Sequence, residues 1–452
     1  MLKFAKFHPL KVFGALNVSL ALVSFGTIAS FGTISLENIS LDDNQESWFV
    51  SIDIMMAIIF TPIGGKITEF LGIKKTFLLF APIIVLGWIL VGTFVSTFCL
   101  LLGRILCGIG IAILMPSPSV YIAETAHPNG RATLSSIIGL SYNVGVCILW
   151  FLGYFFEWQH VAFLSTLPAV ITFFGFLILP ETPYWLIQNQ KFEEAYASLK
   201  YFRKNDEEKE VETEYQEMLQ HQQDKLNRGK LQIICSLTFL QPFLCIGILY
   251  PLQELGGLII TTNYFQSIMI DSKIELETKT CSLILGFVRI FSCLLTLATI
   301  QKMQPKLTFI GFITIKAVCF LITGIYFLPK PYHLELATWT WIPFAMFVIN
   351  YFSLPFIHAI IWSLTGEIFP SEVRNFAVGL TECLAYTADF VLLRIYLKMK
   401  HSIGLYGVFF MFAGVSALCV IYAALTVPDN RGKSLSEIEK KYNCKTPLLS
   451  EK

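Results

Sequence analysis

This chain is poor in charge. Only 14% of its 452 residues are charged, and 33 basic against 32 acidic side chains leave a net charge of +1, which gives no reason to expect a nucleic-acid partner. The 11 cysteines form no CxxC pair and no Cys/His spacing of a metal site; scattered singly from Cys99 to Cys444, they read as small apolar fillers. Lys and Arg are missing from the stretches 36–47, 95–98 and 157–160, and no acid occurs between Lys11 and Ser35. What is abundant is apolar: 55% hydrophobic residues, 40 Phe and a mean hydropathy of +0.63. One soluble core cannot hide that much apolar surface, so lipid must solvate it.

Apolar runs of about 20 residues suffice to cross a hydrocarbon layer of roughly 30 Å as helices, and about twelve can be placed. In the first half they fall near 11–34, 48–68, 76–96, 99–121, 134–156 and 160–180. In the second they fall near 242–265, 281–300, 307–328, 338–365, 376–397 and 403–427. Gly and Pro are tolerated inside such helices and blur their ends. The expected class is an all-α membrane protein of twelve transmembrane helices.

The chain also reads as duplicated. Glu124 with Arg131 recurs as Glu367 with Arg374, each pair seven residues apart and each following a long apolar run. Pro180-Glu181-Thr182-Pro183 closes the last run of the first half, as Pro428-Asp429-Asn430 closes that of the second. Duplicated hydrophobic halves with mirrored charges at one face are how many membrane transporters are built. The division expected is a six-helix bundle over 1–180, a cytosolic linker over 181–241, a second, pseudo-symmetric bundle over 242–428 and a cytosolic tail over 429–452.

Short cytoplasmic loops carry the excess of Lys and Arg. Lys3, Lys6, Lys11, Lys74, Lys75, Arg131, Lys302, Lys306, Arg374, the middle segment and the tail fall on one side, so both termini should face the cytosol. The first apolar run is long for a signal peptide and reads as a retained span. The segment Lys191 to Arg228, rich in Glu, Lys and Gln with spaced Phe192, Tyr196, Leu199 and Phe202, suits short amphipathic helices on the inner membrane face. The plasma membrane is the expected location. Asn38-Ile39-Ser40 is an acceptor sequon in an outer turn, open to glycosylation unless it lies too near the bilayer.

Several stretches resemble the sugar porters of the major facilitator superfamily: Gly65 to Lys75, Gly103-Arg104, Tyr121 to Glu124, Pro180 to Leu186, Gly366 to Arg374 and Pro428 to Ile438. Gln45 to Trp48 and the tail Gly432 to Ile438 are most similar to the insect facilitated trehalose transporters. The matches run in order along nearly the whole chain. The resemblance implies the two-bundle fold of that superfamily and an inner gating network of Glu69, Lys74, Lys75, Glu124, Arg131, Glu181, Glu367 and Arg374, closed when the carrier opens outward.

The charges have a physical logic beside that resemblance. A carboxylate near a helix C-terminus is disfavoured by the macrodipole unless a cation compensates it, and Arg131 and Arg374 can do so across a short turn. The alternative is that these pairs only set loop geometry or topology. The second half departs from the pattern: Gln301 to Lys306 lacks the acid, the Gly and one of the paired cations of the Glu69 to Lys75 turn, so the latch should be lopsided.

A solute site should lie near the midplane. The resemblance directs attention to Gln253, with Glu254 and Ile259 standing where the family carries amides, and to Trp362 as a cavity aromatic; Tyr386 and Asp389, one turn apart, could face the same cavity. Arg289, an expensive charge at midplane, either bridges to Glu254, touches solute or snorkels to an edge. Asp389 faces the cavity or pairs with Arg394. Proton-coupled porters usually pair the Arg at 104 with an acid in the first span; none occurs here, which favours facilitated diffusion, with Asp53 as a substitute proton acceptor the alternative. His358 reads as a packing residue. The expectation is a facilitator for a small-molecule sugar or polyol, embedded in the lipid bilayer, with no covalent chemistry, cofactor or metal. The rivals are a non-transporting sugar sensor and a carrier of charged organic solutes using Arg289 and Glu254.

Overall fold

The computed structural model describes residues 9–93, 96–125, 128–203, 208–225, 237–329, 339–369 and 374–427; within these, the side chains of 9–12, 123, 128–136, 221–225, 237–238, 301, 366–367 and 374–375 lie outside the described set. Among the described residues the regular structure is helical, without strands.

Among the described residues, eleven stretches are long and apolar enough to cross a membrane. In chain order spans 1 to 6 are Phe13–Ser30, Asp43–Leu71, Ile73–Thr93, Thr97–Ile122, Ile137–Phe155 and Trp158–Ile178. Spans 7 to 10 are Phe239–Asn263, Thr278–Thr299, Pro305–Tyr326 and Ile342–Thr365, and Phe376–Thr426 completes the set. That last stretch has 51 residues. At a rise of about 1.5 Å per residue it would reach roughly 77 Å, more than twice the hydrocarbon thickness. Its non-helical residue is Gly404, at φ 68° and ψ 170°, a backbone state open to glycine. Divided there into spans 11 and 12, the chain crosses twelve times, as its sequence leads one to expect.

The spans are less continuous than their composition suggests. Span 4 is built from Thr97–Leu114 and Ser117–Thr125, separated at Met115 and Pro116, where proline removes a helical donor. Span 7 is built from Leu237–Leu255 and Leu258–Asn263, parted at Gly256 and the left-handed Gly257 (φ 87°). Large apolar side chains such as Phe70, Phe98, Ile178 and Leu425 are largely exposed, a surface suited to lipid.

The described chain forms two compact units. One comprises 1–28, 59–145 and 159–229. It contains the helices Pro183–Gln188, Phe192–Phe202 and Glu208–Lys225, which bury Leu186, Ile187, Ala195, Leu199, Val211, Tyr215 and Met218 in a small core of their own. The other comprises 29–58, 146–158 and 230–452. Its core draws Ile246 and Leu249 from span 7, Phe309 and Ile313 from span 9, Ile357 and Ile361 from span 10, and Cys419 and Ala423 from span 12.

Candidate functional site

In the first unit the turn between spans 2 and 3 is held from a distance. Gly72 sits at φ 86°, and the backbone amides of Ile73 and Lys74 open span 3. Both donate to the Glu181 carboxylate, Ile73 N to Oε1 at 3.0 Å and Lys74 N to Oε2 at 3.1 Å, while Thr182 N donates to Oε1 at 3.1 Å. A carboxylate at a helix N-terminus satisfies orphan amides and meets the positive end of the macrodipole. Burial pushes the Glu181 carboxyl above its ordinary range, opposed by these amides and the Lys74 charge. Lys74 Nζ donates to Leu177 O at 3.3 Å, and Trp185 Nε1 donates to Glu69 O at 2.9 Å. The Glu69 and Lys75 side chains are exposed.

A second clamp was not legible in the sequence. Arg203 is 2% exposed and makes a bidentate pair with Glu214, Nε to Oε2 and Nη2 to Oε1 both at 2.7 Å. Its Nη1 donates to Thr125 O at 2.8 Å, so the linker helices grip the end of span 4 beside the half-buried Glu124. The side chains of Arg131, Glu367 and Arg374 lie outside the described residues, and with them the two mirrored acid and base pairs.

The second unit holds a buried polar cluster. Gln253 and Glu254 end the first segment of span 7, at 1% and 6% exposure. His358 Nε2 lies 3.8 Å from Glu254 Oε1, and the His358 ring stacks on Trp362 at 5.7 Å between centroids. Trp362 Nε1 donates to the Tyr250 hydroxyl at 3.3 Å. Arg289 is fully buried, with its guanidinium 5.8 Å from the Tyr351 ring centre. Tyr386 is half-buried and Asp389 buried.

The residue that organises this cluster, Lys316 in span 9, was missed by sequence reasoning. Its isolated charge within an apolar run was the available signal. Lys316 is fully buried, and its Nζ donates to Gln253 O at 3.0 Å. Lys316, Glu254 and Asp389 lie close enough to act on one another electrostatically. Glu254, Asp389, Lys316 and Arg289 are all buried in this unit, and charges held in a hydrocarbon interior call for opposite charges nearby. Polar capacity remains unused: neither Gln253 Nε2 nor Oε1, nor Asp389 Oδ1, has a hydrogen-bond partner in the structure.

Arg394 turns elsewhere. It donates through Nη2 to Asn44 Oδ1 at 3.2 Å, through Nη1 to Ser47 Oγ, and lies 4.1 Å from the Trp48 ring centre. At the same end His401 Nε2 meets Asp43 Oδ2 at 2.9 Å, Thr33 donates to Thr262 O, and Trp150 stacks near Phe265 and Tyr351. These contacts join side chains of spans 2, 5, 7, 10 and 11 with Thr33 and Phe265, which follow spans 1 and 7. Asn38, in the turn after span 1, is exposed and donates to Ile34 O at 3.1 Å.

Twelve apolar crossings, broken spans and a buried polar cluster are the architecture of a membrane transporter. The chain belongs to the sugar (and other) transporter family, whose model matches residues 14–442. It is 27% identical over 431 residues to the facilitated trehalose transporter Tret1 of Bombyx mori, covering 94% of this chain and 85% of that protein. Against Tret1 of Culex quinquefasciatus the identity is 28% over 450 residues, covering 95% and 85%. Among solved structures, the partially occluded inward-open xylose transporter XylE from E. coli superposes with a TM-score of 0.78 at 17% identity, over 94% of this chain and all of that one.

Proposed function

We propose that this protein moves a neutral sugar or small polyol, of the hexose or trehalose class, across a membrane by facilitated diffusion with alternating access. The observation that carries the reading is the unpartnered Gln253 amide, 1% exposed beside the buried Glu254. An amide offers a donor and an acceptor, which is what a sugar hydroxyl needs. Trp362, beside His358 and half-open, supplies an aromatic face for pyranose C–H groups. Arg289, Tyr386 and Asp389 complete the site in this reading.

In the same reading two six-helix halves, 1–180 and 242–428, rock about the midplane, joined by 181–241 and followed by the tail 429–452. Both termini face the cytosol and the protein resides in the plasma membrane. The end closed by Arg394 is then extracytoplasmic. Glu69, Lys74, Lys75, Glu124, Arg131, Glu181, Glu367 and Arg374 form the opposing inner gate, re-formed when the outer end opens. Counterflow of radiolabelled trehalose and glucose in vesicles tests the proposal. Saturable exchange supports it, and flux no faster than in empty vesicles across a panel of neutral sugars and polyols overturns it.

A further inference from the structure

We propose that Lys316 is a positioning residue for the sugar site: reaching from span 9, its ammonium fixes the place where span 7 breaks and so aims Gln253 and Glu254. This rests on the sugar-transport reading above. The last carbonyls of any helix lack intrahelical partners. At the end of Leu237–Leu255 the Gln253 carbonyl accepts from Lys316 Nζ at 3.0 Å as well as from Gly256 N at 3.2 Å, immediately before the left-handed Gly257. A lysine thus caps a helix to which it does not belong, with its charge at the negative end of the macrodipole. Gly256 makes the space, since a Cβ there would stand 2.7 Å from Nζ.

The groups facing this ammonium come from several elements: Glu254 on span 7, Asp389 on span 11 and Cys419 on span 12. Glu254 in turn lies 3.8 Å from His358 on span 10 and feels the charge of Arg289 on span 8. Lys316 offers the two carboxylates a positive charge in addition to that of Arg289. Without it one negative charge is left unmatched in a low-dielectric interior, and the Gln253 carbonyl loses its cross-span donor. The residue whose carbonyl Lys316 holds is the one whose side chain has unused hydrogen-bonding capacity. Lys316 acts through Gln253 and need not touch the sugar.

The test uses the full chain with Lys316→Met, Lys316→Arg and the double variant Lys316→Met with Asp389→Asn. In proteoliposomes Lys316→Met raises the counterflow KM at least about tenfold, more than it lowers Vmax, while Lys316→Arg keeps most of the affinity. In detergent, Lys316→Met lowers the melting temperature further at about pH 8 than at about pH 5.5, because protonating Glu254 or Asp389 removes the unmatched charge. Adding Asp389→Asn flattens that pH dependence. Equal losses at both pH values, or a double variant no flatter than the single, would show that Lys316 only fills space and overturn the proposal. Wild-type protein without sugar counterflow would sink the sugar reading instead, and the melting curves would still decide whether Lys316 clamps span 7.

Discussion

The carboxylate of Glu181 occupies the space that a side chain at Gly72 would need: a Cβ added to Gly72 would collide with Glu181 Oε2. The left-handed glycine delivers the amides of Ile73 and Lys74 to that carboxylate, so the turn and the cap exist only together.

Gly72→Ala therefore loses twice. Left-handed backbone costs about 1–2 kcal/mol for a residue with a Cβ, and a displaced cap about 1 more. The melting temperature in detergent should fall by several degrees. Glu181→Gln keeps an acceptor oxygen but not the charge at the helix N-terminus, and should fall less, by about 0.5 kcal/mol.

Arg203→Ala should loosen the linker helices from the end of span 4. A buried guanidinium with two charge-assisted bonds is lost and Glu214 is left unmatched, about 2 kcal/mol or more. Limited proteolysis within 183–225 should accelerate in this variant, and Arg203→Lys should fall between it and wild type because lysine cannot bond bidentately.

Arg394→Ala should ease the opening of the end that Asn44, Ser47 and Trp48 close. A cysteine introduced at Thr262, in a background free of other reactive thiols, should react with an impermeant reagent about ten times faster, a change of about 1.4 kcal/mol within reach of a cation–π contact and its hydrogen bonds. His401→Ala should leave the rate nearly unchanged, since its pair with Asp43 is largely exposed and such pairs contribute about 0–1 kcal/mol.

Trp362→Ala should raise the KM for sugar counterflow about tenfold, as loss of an aromatic face does, and Trp362→Phe should raise it less. Unchanged KM in both would remove Trp362 from the site.

With the turn after span 1 on the outside, Asn38 should carry glycan. A glycosidase-sensitive shift on a gel should disappear in Asn38→Gln; a shift that persists would place the glycan elsewhere.

Much of the architecture follows from the sequence alone. Whether a run of residues can cross lipid depends on its own length and polarity, so the twelve crossings could be read off without knowing any contact. The resemblance also pointed to Gln253, whose carbonyl accepts from Lys316 in the folded chain. The tertiary structure alone decided how buried charges are matched. Lys316 reaches Gln253 across 63 positions, Arg203 reaches Thr125 across 78, and Arg394 reaches Ser47 across 347. A charge removed from water takes whichever partner packing brings within hydrogen-bonding distance, and helix packing is set by side chains far apart in the chain. Sequence thus showed which charges the membrane interior must accommodate, and only the packed helices determined what each would meet.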